Sequence, residues 1–103
     1  MKAKDIAEKE QIRFRFAAAL DIALSESNIP SVRQLSINAK MEPAHLQRIY
    51  NGEVDLSLVS IISIIEGLEI SNSQFFQYYD ILSEKNIINF RKKLEKQKRK
   101  NLK

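Results

Sequence analysis

The sequence predicts an all-α fold, and three observations support this. The 103-residue chain contains only two glycines and two prolines, so few positions interrupt regular structure. No stretch of five residues alternates cleanly between polar and apolar, which argues against β-strands. Apolar residues instead recur three and four positions apart, as on one face of a helix. With 44% apolar residues, the chain can form a single hydrophobic core.

The first predicted helix covers roughly residues 7–26 and ends at the segment Ser27–Pro30, because proline disfavours a helical residue before it. Its buried stripe has helical spacing. The stripe consists of Ile12, Phe16, Ala19, Leu20 and Ala23.

The second helix begins after Ser31, where a capping box is predicted. The Ser31 hydroxyl accepts a hydrogen bond from the Gln34 amide, and the Gln34 side chain reaches back to the Ser31 amide. The inward face contains Val32, Leu35, Ser36 and Ala39, and a turn at Lys40-Met41 comes next.

The third helix begins at Pro43, since proline suits the first helical position, where its missing N–H costs no hydrogen bond. Leu46, Ile49 and Tyr50 form its inward face. Asn51-Gly52 ends the helix with a left-handed residue.

The fourth helix, Leu56–Leu68, is predicted to be capped by Asp55 and to form the central element of the core. Its apolar face consists of Leu58, Ile61, Ile62, Ile65 and Leu68, widened by Val59 and Ile64. The fifth helix opens at a second capping box, Ser71 with Gln74. It carries more large side chains than one buried stripe needs, namely Phe75, Phe76, Tyr78, Tyr79, Ile81 and Leu82.

The last twenty residues hold the excess positive charge of the chain. Residues 1–83 contain eight basic and eleven acidic residues, a net charge of −3, whereas residues 84–103 contain nine and two, a net of +7. Apolar residues at 87, 88, 90 and 94 predict a docked turn or two, and then a frayed basic end. This extension can lie along flanking phosphates or hold an acidic partner; the alternative is a solvated, disordered end.

Several functions are excluded by what the sequence lacks. With no cysteine and one histidine, it has no disulfide, no thiolate zinc site and no nucleophile paired with a base, so we expect no enzyme, cofactor or metal. The N-terminus has no apolar run of signal-peptide length, and Ser60, Ser63 and Glu66 interrupt the longest apolar region. A cytoplasmic protein that does not contact a membrane is expected.

The segment from about residue 31 to residue 52 has the layout of a helix-turn-helix: two short helices joined by a tight turn and ended by Asn-Gly. This motif and its surroundings, about residues 10–80, resemble the lambda repressor and Cro class, often called XRE-type. The positions that carry the resemblance are Leu35, Ala39, Met41, Leu46, Ile49 and Gly52, with Ile64, Leu68, Ile70 and Ser71 downstream. The resemblance implies a five-helix DNA-binding domain in residues 1–83, with residues 84–103 as a short, partly helical or disordered extension.

The sequence departs from the family pattern at four positions. Ser36 replaces the family's alanine, Tyr50 its acidic residue, and Val32 the glutamine that commonly touches a phosphate. Lys40 stands where the family has its turn glycine. A lysine at positive φ costs on the order of 1 kcal/mol.

The outward face of the third helix is the predicted base-reading surface. Once Leu46 and Ile49 point inward, helical geometry leaves Ala44, His45, Gln47 and Arg48 outward, and the resemblance adds Pro43. Arg48 can donate two hydrogen bonds to guanine, and His45 or Gln47 can pair with purine edges. The alternative is that these are ordinary solvated residues on an exposed helix.

Phosphate contacts are predicted for Arg33 and Lys40, and the resemblance adds Asn51 and Ser57 in the loop after the third helix. A purely solvated role is the alternative for the two basic side chains. Nearby acidic residues repel phosphates, so modest affinity is expected; these are Glu42, Glu53 and Asp55.

The aromatic surplus of the fifth helix predicts a homodimer surface, because repressors of this type bind two half-sites as symmetric dimers. The predicted surface residues are Phe75, Phe76, Tyr78, Tyr79 and Leu82. The alternative is that these residues close the base of the core.

The expected function is therefore a sequence-specific regulator of transcription that binds double-stranded DNA. The alternative is a protein-binding adaptor or antitoxin-like module on the same fold, with weak or no DNA binding. It would use the aromatic fifth helix to hold a protein partner.

Overall fold

Six helices and their connections make up residues 5–101, the part of the chain that the computed structural model describes. This described part contains no strand, so the all-α prediction is confirmed. The helices are α1 (Ile6–Glu26), α2 (Val32–Asn38), α3 (Pro43–Tyr50), α4 (Leu58–Leu68), α5 (Asn72–Ile81) and α6 (Glu84–Asn101).

The two predicted capping boxes form only in part. Ser31 and Ser71 accept hydrogen bonds from the amides of Gln34 and Gln74, each at 3.1 Å, as predicted. The glutamine side chains do not reach back. The Gln34 side chain donates to Asn38 and that of Gln74 contacts the Tyr78 hydroxyl, each partner four residues further along.

The start of α4 differs from the prediction. The helix begins at Leu58 rather than Leu56, and Ser57 caps it by accepting a hydrogen bond from the Ser60 amide at 3.1 Å. Asp55 is therefore not the cap. Its carboxylate instead accepts a hydrogen bond from Arg13 Nε at 2.7 Å, and this contact lowers the pKa of Asp55.

The last helix is longer than predicted. In place of a docked turn or two, α6 runs for 18 residues. Ser83 and Asn86 form a reciprocal capping box at its start, with both side chain to amide bonds at 3.1 Å. Phe90 and Leu94 are each only 6% exposed, so this helix contributes to the core.

The core is centred on α1 rather than on α4. Ala17, Ala19 and Leu20 are fully buried, and α1 packs against α3, α5 and α6. Ile12, predicted to be buried, is 45% exposed because the buried stripe of α1 begins at Phe16. The other buried apolar side chains come from every remaining helix, and include Leu35, Leu46, Ile49, Ile64, Ile65, Leu68 and Phe75.

The first turn of α4 faces solvent instead of the core. Leu58 and Val59, both predicted on its apolar face, are 72% and 75% exposed. Its buried residues lie further along, at Ile64, Ile65 and Leu68. No helix in the described range is long and apolar enough to cross a membrane.

Candidate nucleic-acid interface

A tight connection, residues 39–42, joins α2 to α3. At the end of α2 the Met41 amide donates to the Ser36 carbonyl at 2.9 Å, and the Lys40 amide donates to the Ile37 carbonyl at 3.1 Å. This is the Schellman arrangement, whose left-handed position usually holds glycine. Lys40 occupies it with φ of 55°, so the turn is built with a lysine in a strained conformation.

Close packing against α4 holds α2 in place. A Cβ atom on Gly67 would lie 3.0 Å from the Ala39 nitrogen, so only glycine allows the helices to approach this closely. The Asn38 side chain also donates to the Gly67 carbonyl at 3.2 Å. Ser36 is 1% exposed, and its hydroxyl donates to the Arg33 carbonyl at 2.6 Å, which satisfies the buried group.

The two faces of α3 differ sharply in burial. Leu46 and Ile49 are 0% and 1% exposed. The five residues predicted to read bases are all exposed: Pro43, Ala44, His45, Gln47 and Arg48. This helix is therefore packed through one face and presents donors and acceptors on the other.

A second Schellman motif ends α3. The Glu53 amide donates to the Arg48 carbonyl and the Gly52 amide to the Ile49 carbonyl, both at 3.0 Å. Gly52 has φ of 72°, as predicted, and a Cβ there would lie 2.6 Å from the Phe14 ring. The end of the helix is therefore fixed against α1.

Tyr50 ties the same end of α3 to two other helices. Its hydroxyl donates a hydrogen bond to the Asp21 carboxylate in α1, and its ring meets Phe90 of α6 edge-on at 5.9 Å between centroids. Lys93 Nζ lies 3.3 Å from the same carboxylate. Burial, together with the bond to Asp21, raises the pKa of Tyr50 well above its ordinary value.

The predicted phosphate-binding residues fall into two groups. Arg33 and Lys40 are exposed, and within residues 5–101 neither side chain has a hydrogen bond or ion pair. Asn51 and Ser57 are already engaged: Asn51 accepts from the Gln47 side chain at 3.2 Å, and Ser57 caps α4. The last two are therefore less available to a ligand.

Two of the three acidic side chains predicted to repel phosphates have basic partners. Lys98 Nζ lies 3.2 Å from Glu53 Oε1, and Arg13 Nε lies 2.7 Å from Asp55 Oδ1. Sequence reasoning missed both partners because they lie 45 and 42 residues away along the chain. Pairing reduces the negative potential beside α3.

The predicted dimer surface is only partly on the surface. Phe75 is fully buried and Leu82 is 6% exposed, so both belong to the core and offer nothing to a second subunit. Phe76 is 38% exposed, and Tyr78 and Tyr79 are half-buried. Phe75 points inward from the first turn of α5, and Leu82 turns inward just after the helix ends at Ile81.

A groove lies beside these aromatics, between α1, α5 and α6, and its lining mixes apolar side chains with charged ones such as Arg15, Glu84 and Arg91. Its apolar lining consists of Ile12, Tyr79, Ile87 and Ile88. Ile12 and Ile88 are 45% and 51% exposed. Tyr79 belongs both to this groove and to the predicted dimer residues.

The described part of the chain contains no group of three or more residues that can hold a metal ion. Comparison of the chain with protein-family models, with curated proteins and with solved structures finds no match. The resemblance to the lambda repressor and Cro class therefore stays a prediction from the sequence.

Proposed function

We propose that this protein is a sequence-specific DNA-binding regulator that inserts α3 into the major groove. The observation that carries the proposal is the division of α3 into a buried face and a polar, exposed face. An α-helix fits the major groove, where each base pair presents a distinct pattern of donors and acceptors. A helix held firmly by its inner face can present side chains to that pattern without reorganisation.

The exposed side chains of α3 have the chemistry for base recognition. The side chains of His45 and Arg48 have no hydrogen bond or ion pair among residues 5–101, so both can turn to a ligand. Arg48 matches the two acceptors of guanine, and each good bidentate contact discriminates by ~1–3 kcal/mol. Pro43 and Ala44 are suited to a thymine methyl group.

Phosphate contacts from α2 and its turn complete the proposed interface. Arg33 lies in the first turn of α2, which packs against α3, and Lys40 lies in the connection between the two helices. Contacts of this kind fix the register of a protein on the duplex without reading sequence.

A symmetric dimer is part of the proposal, since two copies can then read two half-sites one helical turn apart. Its surface is the groove between α1 and α6 together with Phe76. Light scattering at micromolar concentration tests this: the expected mass is twice 11.9 kDa. A monomer at that concentration, free or bound to DNA, overturns the dimer.

A mobility-shift titration with duplex DNA at several salt concentrations tests the DNA-binding function. The wild-type protein is expected to bind and to lose affinity steeply with salt. Arg48→Ala should lower affinity for the preferred sequence about tenfold or more, as expected for the loss of a bidentate contact. Lys85→Ala, which removes an exposed charge at the far end of α6, serves as the control.

The exposed isoleucines in the groove between α1 and α6 favour a second candidate function, a protein-binding adaptor. Ile12 and Ile88 are 45% and 51% exposed there, so both offer apolar surface against which a partner can pack. An adaptor would show no salt-dependent DNA binding and no response to Arg48→Ala. Replacing Ile88 with aspartate would then abolish partner binding.

A further inference from the structure

The middle and the C-terminal part of α6 contact the end of the proposed recognition helix. The two contacts are the ring of Phe90 against Tyr50 at 5.9 Å, and the ion pair of Lys98 with Glu53 at 3.2 Å. Tyr50 is the last residue of α3, and Glu53 belongs to the turn that ends it. Residues 90 and 98 of α6 therefore both touch the C-terminal end of α3 or the turn that follows it.

Beyond these contacts, α6 carries basic side chains that the protein itself does not use. Lys92, Lys96, Arg99 and Lys100 are exposed, and none forms an ion pair or hydrogen bond within residues 5–101. The helix packs through Leu94, which is 6% exposed. With about 100° per residue, Lys92, Lys96 and Lys100 fall on the side opposite Leu94.

The charge of α6 contrasts with that of the rest of the protein. Residues 1–83, which include α3, have eight basic and eleven acidic residues and a net charge of −3. The ion pair with Lys98 neutralises Glu53, the acidic residue nearest the end of α3 in the chain. The unpaired basic residues of α6 therefore add a surplus of positive charge at an edge that otherwise repels a polyanion.

We propose that the last two turns of α6 form a phosphate-binding arm, in which Lys96, Arg99 and Lys100 contact the DNA backbone flanking the bases read by α3. The inference rests on the proposed DNA-binding function and assigns this arm a large part of the electrostatic affinity. Lys96 and Lys100 are about 6 Å apart along the helix axis, close to the separation of neighbouring phosphates on one strand. The exposed Lys98–Glu53 pair adds little stability; its role is to position the arm.

The salt dependence of DNA binding by the full chain tests the arm. Fluorescence anisotropy with a labelled duplex gives the slope of log K against log salt concentration, which is about −0.9 for each phosphate neutralised. Arg99→Gln with Lys100→Gln should make the slope shallower by about 2 and weaken binding to every duplex roughly tenfold or more at physiological salt. Helical content by circular dichroism confirms that the variant is folded.

A matched control removes the same charge from the same helix. Lys85→Gln, compared with Arg99→Gln alone, leaves the arm intact, since Lys85 lies about 21 Å before Arg99 along the axis. This control should change the slope by much less than Arg99→Gln does. Arg48→Ala should change sequence preference while leaving the slope nearly unaltered.

Three outcomes would overturn the inference, and they are distinguishable. Equal slopes for Arg99→Gln and the control show that only total charge matters, while the response to Arg48→Ala still supports the proposed function. No binding of the wild-type chain to any duplex at low salt removes both the arm and the proposed function. Equally tight binding to poly-glutamate shows a general affinity for polyanions instead of a DNA contact.

Discussion

Lys40 shows how one residue can be tolerated where glycine is the ordinary choice. Its φ of 55° is imposed by the turn between α2 and α3. The two hydrogen bonds donated by the backbone amides of this turn form only in that conformation. The strain is on the order of 1 kcal/mol, and the chain accepts it because Leu35 and Leu46 are fully buried on either side of the turn. Lysine at this position also leaves a positive charge beside the proposed interface.

Replacing Lys40 with glycine should stabilise the protein. Removing the left-handed strain outweighs the extra entropy of glycine in the unfolded chain, so the free energy of unfolding should rise by about 0.5 kcal/mol. Urea denaturation measures it. Lys92→Gly in the middle of α6 is the control and should lose about 1 kcal/mol. A loss of stability in both variants would contradict the account of the turn.

Tyr50→Phe should destabilise the protein by about 1–2 kcal/mol, because it removes the hydrogen bond to Asp21. The pH dependence has a definite sign. Since the pKa of Tyr50 is raised in the folded state, the native protein holds that proton more tightly, and stability falls as pH rises above about 10.

Urea denaturation at about pH 7 and at about pH 10.5 tests both parts. Tyr50→Phe should lose less stability over this interval than the wild-type protein. Tyr79→Phe is the control, because its hydroxyl has no hydrogen bond among the described residues. An identical loss in the wild-type and Tyr50→Phe proteins would show that Tyr50 does not titrate as described.

The serine caps of α2 and α5 were predictable from the sequence, and pairs distant along the chain were not. Ser31 and Ser71 cap their helices as predicted, since the partner amides lie three residues ahead. The sequence also predicted Asp55 as a helix cap, but its carboxylate accepts a hydrogen bond from Arg13, which lies 42 residues away along the chain. Nothing in local patterning indicates which distant charges meet.

Among the helices, the contact between α2 and α4 depends most on a single side chain. Gly67→Ala should lower the free energy of unfolding by about 1–3 kcal/mol, because the new methyl group would lie 3.0 Å from the Ala39 nitrogen. The net loss is expected because the steric cost of the methyl group exceeds the gain in helix propensity, which is about 1 kcal/mol. Thermal denaturation provides the measurement.

Ser63→Ala, one turn earlier in α4, gains helix propensity without entering that contact. Its stability should stay within about 0.5 kcal/mol of the wild-type value. If the Gly67→Ala variant were as stable as the Ser63→Ala variant, α2 and α4 would not be in close contact.

The lengths of α4 and α6 show where periodicity misleads. Leu58 and Val59 fit the apolar face of α4, yet both are exposed because no other helix covers that turn. The many basic residues of α6 made its sequence look like a frayed end. The helix nevertheless begins at a Ser83–Asn86 capping box, and Phe90 and Leu94 pack it against the core. Periodicity identifies a face, whereas its burial depends on the neighbouring elements.

For the molecule as a whole, α6 is part of the folding unit rather than an appendage. Phe90→Ala should cost about 3 kcal/mol, because Phe90 is 6% exposed and packs on Tyr50. Ile88→Ala, on the half-exposed side of the same helix, should cost less than about 1 kcal/mol. Equal, small losses in urea denaturation would show that α6 contributes nothing to the core.

The overall charge distribution was predicted from the sequence, but its arrangement in space was not. The basic last twenty residues were expected to be partly frayed, whereas the structure continues α6 to Asn101 and places Lys98 against Glu53. The exposure of His45 and Arg48 resulted from helical geometry once Leu46 was buried. Which molecule binds this exposed face does not follow from the fold of the chain, because function depends on the site and its partner.

Selection of bound duplexes from a random DNA pool, carried out with the wild-type chain and with Arg48→Ala, tests the central claim most directly. The claim predicts that the wild-type protein enriches one short motif containing a guanine, and that Arg48→Ala relaxes the preference at that guanine while leaving neighbouring positions unchanged. Recovery of no common motif by the wild-type chain, or of the same motif by both proteins, would contradict it.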